Sequence, residues 1–418
     1  MTKPHSLKTE PWLNAPETHA VMQALIANGG AARFVGGCVR NALLRVPVDD
    51  IDIATPLTPQ EVTRRVEASG LRAVATGVEH GTVTVISRSA EGRAKPYEVT
   101  TLRRDVSTDG RRATVAFTSD WAEDAGRRDF TMNALYADMN GEVFDYAGGL
   151  DDLRAGRVRF IGNADQRIAE DYLRILRLFR IHAWYGKGEM DEVGLRACAA
   201  ARGQLNSLSG ERIQKEMLKL LGADAPVQVL RTMAATGVLS ELLAGELSFE
   251  RFQAVCAMDG DHFFAPDGVL RLGALLSDGG QAREVAARWR LSNDHRDRLA
   301  GMLTAPTKIV SYMSIREVRR ALYRLGAAPF KDLVRLRWAE DTKASNGVQW
   351  RTLLALADGW VRPELPLTGA NVMAAGIPHG PLVGRVLSEV EEWWIDSDFT
   401  DDPFSLAERL KAVVQAVV

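Results

Sequence analysis

Cysteine is scarce in this chain: three in 418 residues, Cys38, Cys198 and Cys256, with no CxxC pair among them. That spacing excludes a zinc ribbon and a disulfide framework, and leaves the three as small buried residues. Long apolar runs are missing too, since none reaches the roughly 18 residues that a membrane helix needs. The opening stretch MTKPHSLKTEPWLN has no apolar core of the signal-peptide kind, so a cytoplasmic location without a membrane partner is expected. No period of about 20 to 50 residues repeats, which argues against a solenoid. Excess charge is also absent: the formal net charge is -2, which excludes a uniformly basic surface.

What is present is a 46% hydrophobic composition, enough at this length for a large core shared by more than one domain. The charge is uneven. Between Arg283 and Arg337 thirteen Lys/Arg stand against five acids, an excess of eight that includes Arg316, Arg319 and Arg320. This is the asymmetry expected where one region meets a polyanion, with a solvated helical surface as the alternative.

The most informative stretch is Gly36 to Thr55, GGCVRNALLRVPVDDIDIAT. Gly36 and Gly37 follow the apolar pair Phe34-Val35 and precede Val39 to Leu44, which reads as a strand turning tightly into a helix. Such a turn aims backbone N–H groups at an anion. Further on, Asp50 and Asp52 alternate with Ile51 and Ile53, so in a strand both carboxylates share one face. They would repel without a cation between them, and Mg2+ held by two carboxylates and substrate phosphates fits that chemistry. Asp49 has the opposite parity and reads as solvated, while Arg40 is placed to meet a triphosphate.

These blocks resemble the signature of the class II nucleotidyltransferases, the family of bacterial CCA-adding tRNA nucleotidyltransferases and bacterial poly(A) polymerases. The chain departs from the usual pattern at Asn41, commonly aspartate, and at Arg45, commonly glycine. The resemblance implies a third acid beside the metal pair, for which Glu98 in the strand-like YEVTT is the candidate. It also implies a role for the polar segment Arg103 to Asp120 in switching from C to A incorporation; the segment reads as a mobile loop. RRDFTMNALYAD resembles the second family motif, which makes Arg128, Asp129 and Asn133 contacts for triphosphate and ribose. FDYAGGLDDL, with Asp145, reads as a hinge closing the head.

From Ala164 onward strand patterning stops and helices follow. In AEDYLRILRLFRIHAW, Asp171 and Arg174 are spaced i, i+3 on one helix, with Arg177 and Arg180 continuing at that interval toward a triphosphate or RNA backbone. The resemblance extends to this EDxxR helix. Cytosine and adenine each present an amino donor beside a ring-nitrogen acceptor, so Asp171 and Arg174 together would satisfy either base. Uracil and guanine present the reverse, leaving charged groups unpaired at roughly 1–3 kcal/mol each. SGERIQKEMLKLL would brace this helix, and in PLTGANVMAAGIPHGPLVGRVL the glycines Gly376, Gly380 and Gly384 would expose N–H groups to RNA phosphates. No histidine is followed by aspartate, so the phosphohydrolase domain of some family members is not expected.

The expectation is therefore an α/β nucleotidyltransferase head (1–150) followed by an all-α neck (151–225) and a helical body and tail (226–418) that binds tRNA. The activity implied is template-independent CCA addition to tRNA from CTP and ATP with Mg2+. The alternatives are poly(A) polymerase activity and non-catalytic RNA binding on the same scaffold.

Overall fold

The computed structural model describes residues 6–77, 81–89, 91–109, 112–262 and 264–417. The chain divides into two compact units, Met1–Ala244 and Gly245–Val418. The expected boundary at 225 falls inside the first of these. Helix Pro226–Ala235 packs against helix Leu173–Tyr185, burying Val229, Leu230 and Met233, and so stays with the neck.

Among the described residues the first unit carries the strands β1 (Arg33–Val35), β2 (Asp52–Thr55), β3 (Arg72–Gly77), β4 (Thr82–Arg88), β5 (Ala94–Thr101), β6 (Arg103–Asp109), β7 (Arg112–Phe117), β8 (Leu135–Ala137) and β9 (Val143–Asp145). Seven form one sheet in the order β3-β4-β5-β2-β1-β8-β9, and its single parallel pair is β2 with β5. Helices Pro16–Ile26 and Pro59–Ala68 pack on β4 through Val21, Met22, Leu25, Val62 and Val66. Trp12 meets Phe34 edge-on, ring centroids 4.9 Å apart, while Ile26 is exposed.

The segment expected as a loop is largely a two-stranded ribbon. β6 and β7 pair antiparallel from Arg103↔Phe117 to Asp109↔Arg112, and residues 110 and 111 lie outside the described set. Val106, Thr108, Thr114 and Val115 are β-branched and favour such pairing, which the polarity of the segment obscured.

Two glycines shape the backbone around the site. Gly36 has φ 76, a conformation open to glycine and strained for other residues. Gly149 is seated so closely that a Cβ would lie 2.2 Å from the Thr131 carbonyl oxygen. Asp145 accepts from the N–H groups of Gly149 and Leu150, both at 2.9 Å. The expected hinge is thus a tightly packed helix start. Arg45 occupies the left-handed position (φ 58) that ends helix Gly37–Leu44, a place where glycine carries no Cβ penalty.

The neck helix is not continuous. Helix Ala164–Glu170 ends at Asp171, whose backbone is extended (φ −156, ψ 106), and a second helix, Leu173–Tyr185, begins after Tyr172. Asp171 and Arg174 are therefore not on one regular helix. Helix Gly210–Leu221 packs along the second segment.

The second unit is built from helices, with one core around Val318, Leu322, Phe330, Val334 and Trp350 and another around Val372, Val386, Val390 and Val413. Its basic excess is largely neutralised. Arg319, Arg320 and Arg324 pair with Asp398, Asp396 and Glu392, Lys331 with Asp358, Arg335 with Asp259, and Arg337 with Glu340. Every one of those acids lies outside the Arg283–Arg337 interval. In the tail, the N–H of Gly376 is already given to the Met373 carbonyl at 3.0 Å, and Gly384 lies inside helix Pro381–Asp396. Of the three expected phosphate donors, only Gly380 stands at a helix N-terminus. No helix among the described residues is long and apolar enough to cross a membrane.

Replacing Arg45 by glycine should relieve the left-handed strain and stabilise the protein by about 0.5–1 kcal/mol. Urea unfolding would read this as a higher midpoint with an unchanged slope; a lower midpoint would show that Arg45 is not strained.

Candidate active site

Strand β1 delivers the Gly36-Gly37 turn, and β2 beside it delivers Asp52. Ile51 and Ile53 are 2% and 0% exposed, so the alternation read from the sequence holds, and Asp50 projects from the exposed stretch just before β2. Asp52 lies opposite Glu98 in the parallel β2–β5 register, which puts the two side chains on the same sheet face. Burial, then the Glu98 carboxylate, push the Asp52 carboxyl up to about 6, with Asp50 adding to the effect and Arg128 opposing it. Cys38, fully buried beneath the turn, donates to the Val35 carbonyl at 3.3 Å and is pushed up to about 11 by that burial.

A cavity of about 450 Å³ opens in front of the turn. Gly36, Gly37, Arg40, Asp52, Arg128, Asp129, Asn133, Asp171, Arg174, Arg177 and Arg180 all line it, joined by Arg103, Arg127 and Ile181. Asp50 and Glu98 do not line it. Among the described residues no three His, Cys, Asp or Glu side chains converge as a metal cluster. A cation here would therefore draw on the acid pair and on phosphate oxygens.

The arginines of the neck helix each have an acid. Arg177 pairs with Asp129 at 2.8 Å, Arg180 with Glu216, and Arg174 with Glu170. Asp129 accepts from the Phe130 N–H at 2.8 Å and the Asn133 amide at 3.2 Å. Burial alone would raise its pKa, but Arg177 and these hydrogen bonds hold it below the usual carboxylate range. Arg40 differs from the others because its partners are neutral. It donates to the side-chain oxygens of Asn133 (2.5 Å) and Asn41 (2.9 Å) and to the Tyr185 hydroxyl (2.9 Å), and it stacks 3.9 Å from the centroid of that ring. Burial lowers the Arg40 pKa, as expected of a cation still short of an anion. Asn41 also donates to the Pro47 carbonyl at 2.9 Å, so the residue that departs from the family pattern braces Arg40.

Asp171 and Arg174 do not pair through their side chains. One Asp171 oxygen caps the Leu173 N–H at 3.1 Å, and the other meets Arg212 at 2.8 Å. Arg174 donates to the carbonyls of Arg167 (2.8 Å) and Arg127 (3.0 Å) and to Glu170. Three of the five guanidinium donors are thus engaged and two remain, while each Asp171 oxygen keeps a lone pair. Arg212 and Glu216 show how SGERIQKEM braces the neck. Arg212 and Tyr136 lie inside the SGERIQKEMLKLL and RRDFTMNALYAD blocks without having been singled out there, and Asp124 and Tyr185 stand outside the quoted blocks.

The sheet, the glycine turn and the arginine-lined cleft with its acid define a nucleotidyltransferase. Comparison with known proteins narrows the class: residues 32–159 match the poly A polymerase head domain, and residues 189–247 match the probable RNA and SrmB-binding site of polymerase A. CCA tRNA nucleotidyltransferase 1, mitochondrial, from Homo sapiens is 31% identical over 392 residues, covering 91% of this chain and 86% of that protein. The CCA-adding enzyme of Streptococcus gordonii is 32% identical over 396 residues, covering 92% and 94%. The structure of the Bacillus stearothermophilus CCA-adding enzyme in complex with CTP superposes with a TM-score of 0.74 at 28% identity, covering 96% of each chain. The chain belongs to the CCA-adding tRNA nucleotidyltransferase family.

Because the Asp52 pKa is raised from 3.8 to about 6, its contribution to stability is greatest below the lower value and is lost as pH rises through the upper one. In chelator, Asp52→Asn should therefore be more stable than the parent at pH 8, by of order 1 kcal/mol once solvent screening is allowed for, with the gap closing toward pH 4. Millimolar Mg2+ should stabilise the parent and leave the variant unmoved. Equal melting curves for the two proteins at pH 8 would remove Asp52 from a repulsive acid pair.

Proposed function

We propose that this protein adds C, C and A to the 3′ end of tRNA, using CTP and ATP and releasing pyrophosphate. The carrying observation is one cavity in which Asp52, the Gly36-Gly37 turn and the unpaired faces of Asp171 and Arg174 meet. The family membership supports the same reading. The donor chemistry fits a divalent cation, because Asp50, Asp52 and Glu98 are hard oxygen acids and the buried Asp52 carboxylate is costly to ionise beside the other two. Asp50 and Asp52 would hold Mg2+, with Glu98 as the third acid. When bound, the ion supplies neutralisation of the charge that develops on the leaving phosphates.

The chain's own groups do the rest. Backbone N–H groups at the turn and the Arg40 guanidinium receive the triphosphate, and Arg128 sits at the same turn. Arg177 and Arg180 extend the positive wall. Asp129 and Asn133, locked to each other and to Arg40 and Arg177, present oxygen and amide to the ribose. Asp171 accepts from the base amine and Arg174 donates to the ring nitrogen. The tRNA 3′-hydroxyl oxygen then bonds to the α-phosphorus as the α–β phosphoanhydride bond breaks, with pyrophosphate leaving and the hydroxyl proton released to solvent.

Incubating the purified protein with tRNA lacking its last three nucleotides tests this directly. CTP alone should add two residues, and CTP with ATP should stop at three. Long tails from ATP alone, without the two-residue stop in CTP, would favour a poly(A) polymerase instead, and no incorporation at all would leave a binding protein. Arg174→Ala should lower the preference for CTP over UTP by about tenfold, the equivalent of one charged hydrogen bond. Unchanged preference in an active variant would make Arg174 structural.

A further inference from the structure

One carboxylate behind the cleft holds two neighbouring arginines of its wall. Asp124 is 1% exposed and does not line the cavity, yet among the described residues it is the only acid that pairs with two of the cavity's arginines. It lies on the short helix Trp121–Gly126, whose start is capped by the Asp120 carboxylate. Its two oxygens serve different structures. Oδ1 accepts from the Arg127 side chain at 2.7 Å and from the backbone N–H of Arg103, the first residue of β6, at 3.3 Å. Oδ2 accepts from Arg128 at 3.0 Å and from the Tyr136 hydroxyl at 2.7 Å, and that hydroxyl also accepts from Arg128 at 3.1 Å.

Each arm leads to a different end of the cleft. Through Oδ2, Arg128 is held at the glycine turn, where a Cβ on Gly36 would lie 3.8 Å from its Nη1, and its charge acts on Asp52. Through Oδ1, Arg127 is held with its carbonyl 3.0 Å from Nη2 of Arg174. Both arms need a charged acceptor, because a neutral amide offers one weaker acceptor in place of two. Burial alone would raise the Asp124 carboxyl, but Arg128 and Arg127 outweigh it and hold it at about 2, so the carboxylate is ionised at any working pH.

We propose that Asp124 is a positioning residue that sets the phosphate end of the nucleotide cleft through Arg128 and the base end through Arg127 and Arg174, and fixes the root of the β6–β7 ribbon to both. The inference rests on the nucleotidyltransferase reading. It makes a joint effect the signature: loosening one buried side chain that touches no nucleotide weakens triphosphate affinity and base selection together.

The test uses the full-length protein with truncated tRNA, and the parent is assayed first. Failure of the parent to incorporate CMP and AMP would sink the functional reading and say nothing against Asp124. With an active parent, Asp124→Asn should raise KM for both CTP and ATP by roughly tenfold and cut the CTP-over-UTP preference several-fold, measured below its own unfolding midpoint. Tyr136→Phe leaves the carboxylate in place and removes only the hydroxyl on the Arg128 arm. It should raise KM about two- to threefold and leave base preference at the parent value. A folded Asp124→Asn protein with parental KM and preference would overturn the proposal, as would a KM change without any change in preference. Should that variant not fold, Tyr136→Phe decides: parental KM overturns the phosphate arm, and a loss of base preference overturns the separation of the two arms.

Discussion

Seven guanidinium groups lining one cavity repel one another, and the head and neck are arranged around that constraint. Two unit charges 8 Å apart cost about 2 kcal/mol at the effective dielectric of a protein surface, so the set does not close without negative charge nearby. That charge comes from Asp124 at Arg127 and Arg128, Glu170 at Arg174, Glu216 at Arg180, and Asp129, which itself lines the cavity, at Arg177. Anchored in this way, these five guanidinium groups still line the cavity. Arg40 differs from them, secured by two amides and a tyrosine and left with its full charge. An incoming triphosphate supplies what that position lacks.

The same constraint accounts for the irregular backbone of the site. Residues Thr131–Asn133 form a single 3-10 turn in place of a strand, which brings Asn133 within reach of both Arg40 and Asp129. Gly149, with no room for a Cβ, lets the following helix start press against that turn. These segments break local rules where the site needs side chains aimed inward, while the surrounding strands obey the period-two pattern.

How much of this was legible in the sequence depends on distance along the chain. The glycine turn and the alternation around Asp52 lie within short windows where spacing is informative, and the RRDFTMN block was assigned to the nucleotide through its resemblance to a family motif. The braces were hidden because their partners are remote: Asp171 meets Arg212, Arg40 meets Tyr185, and the Asp124 carboxylate meets the Tyr136 hydroxyl across a strand boundary. The same blindness inflated the basic region. A linear count between Arg283 and Arg337 could not register that Arg319 and Arg324 find Asp398 and Glu392 near the other end of the unit. The ribbon β6–β7 was missed for a different reason: its polar first strand, Arg103–Asp109, carries no run of alternating apolar residues to announce it.

The break in the neck is where the fold and the proposed selectivity become one argument. On an unbroken helix Asp171 and Arg174, three apart, would face each other and form an ordinary ion pair, which would consume the groups a base has to meet. The extended backbone at Asp171 prevents this, and the rest of the neck completes the separation. Arg212 takes one side of the carboxylate, while Glu170 and two carbonyls take the far side of the guanidinium. Each group is anchored without being satisfied. A protein that reads bases without a nucleic-acid template needs that condition, because an acid and a base already bonded to each other would treat all four nucleotides alike. The kink keeps the pair apart, and the anchoring acids and arginines keep it from collapsing when the cavity is empty.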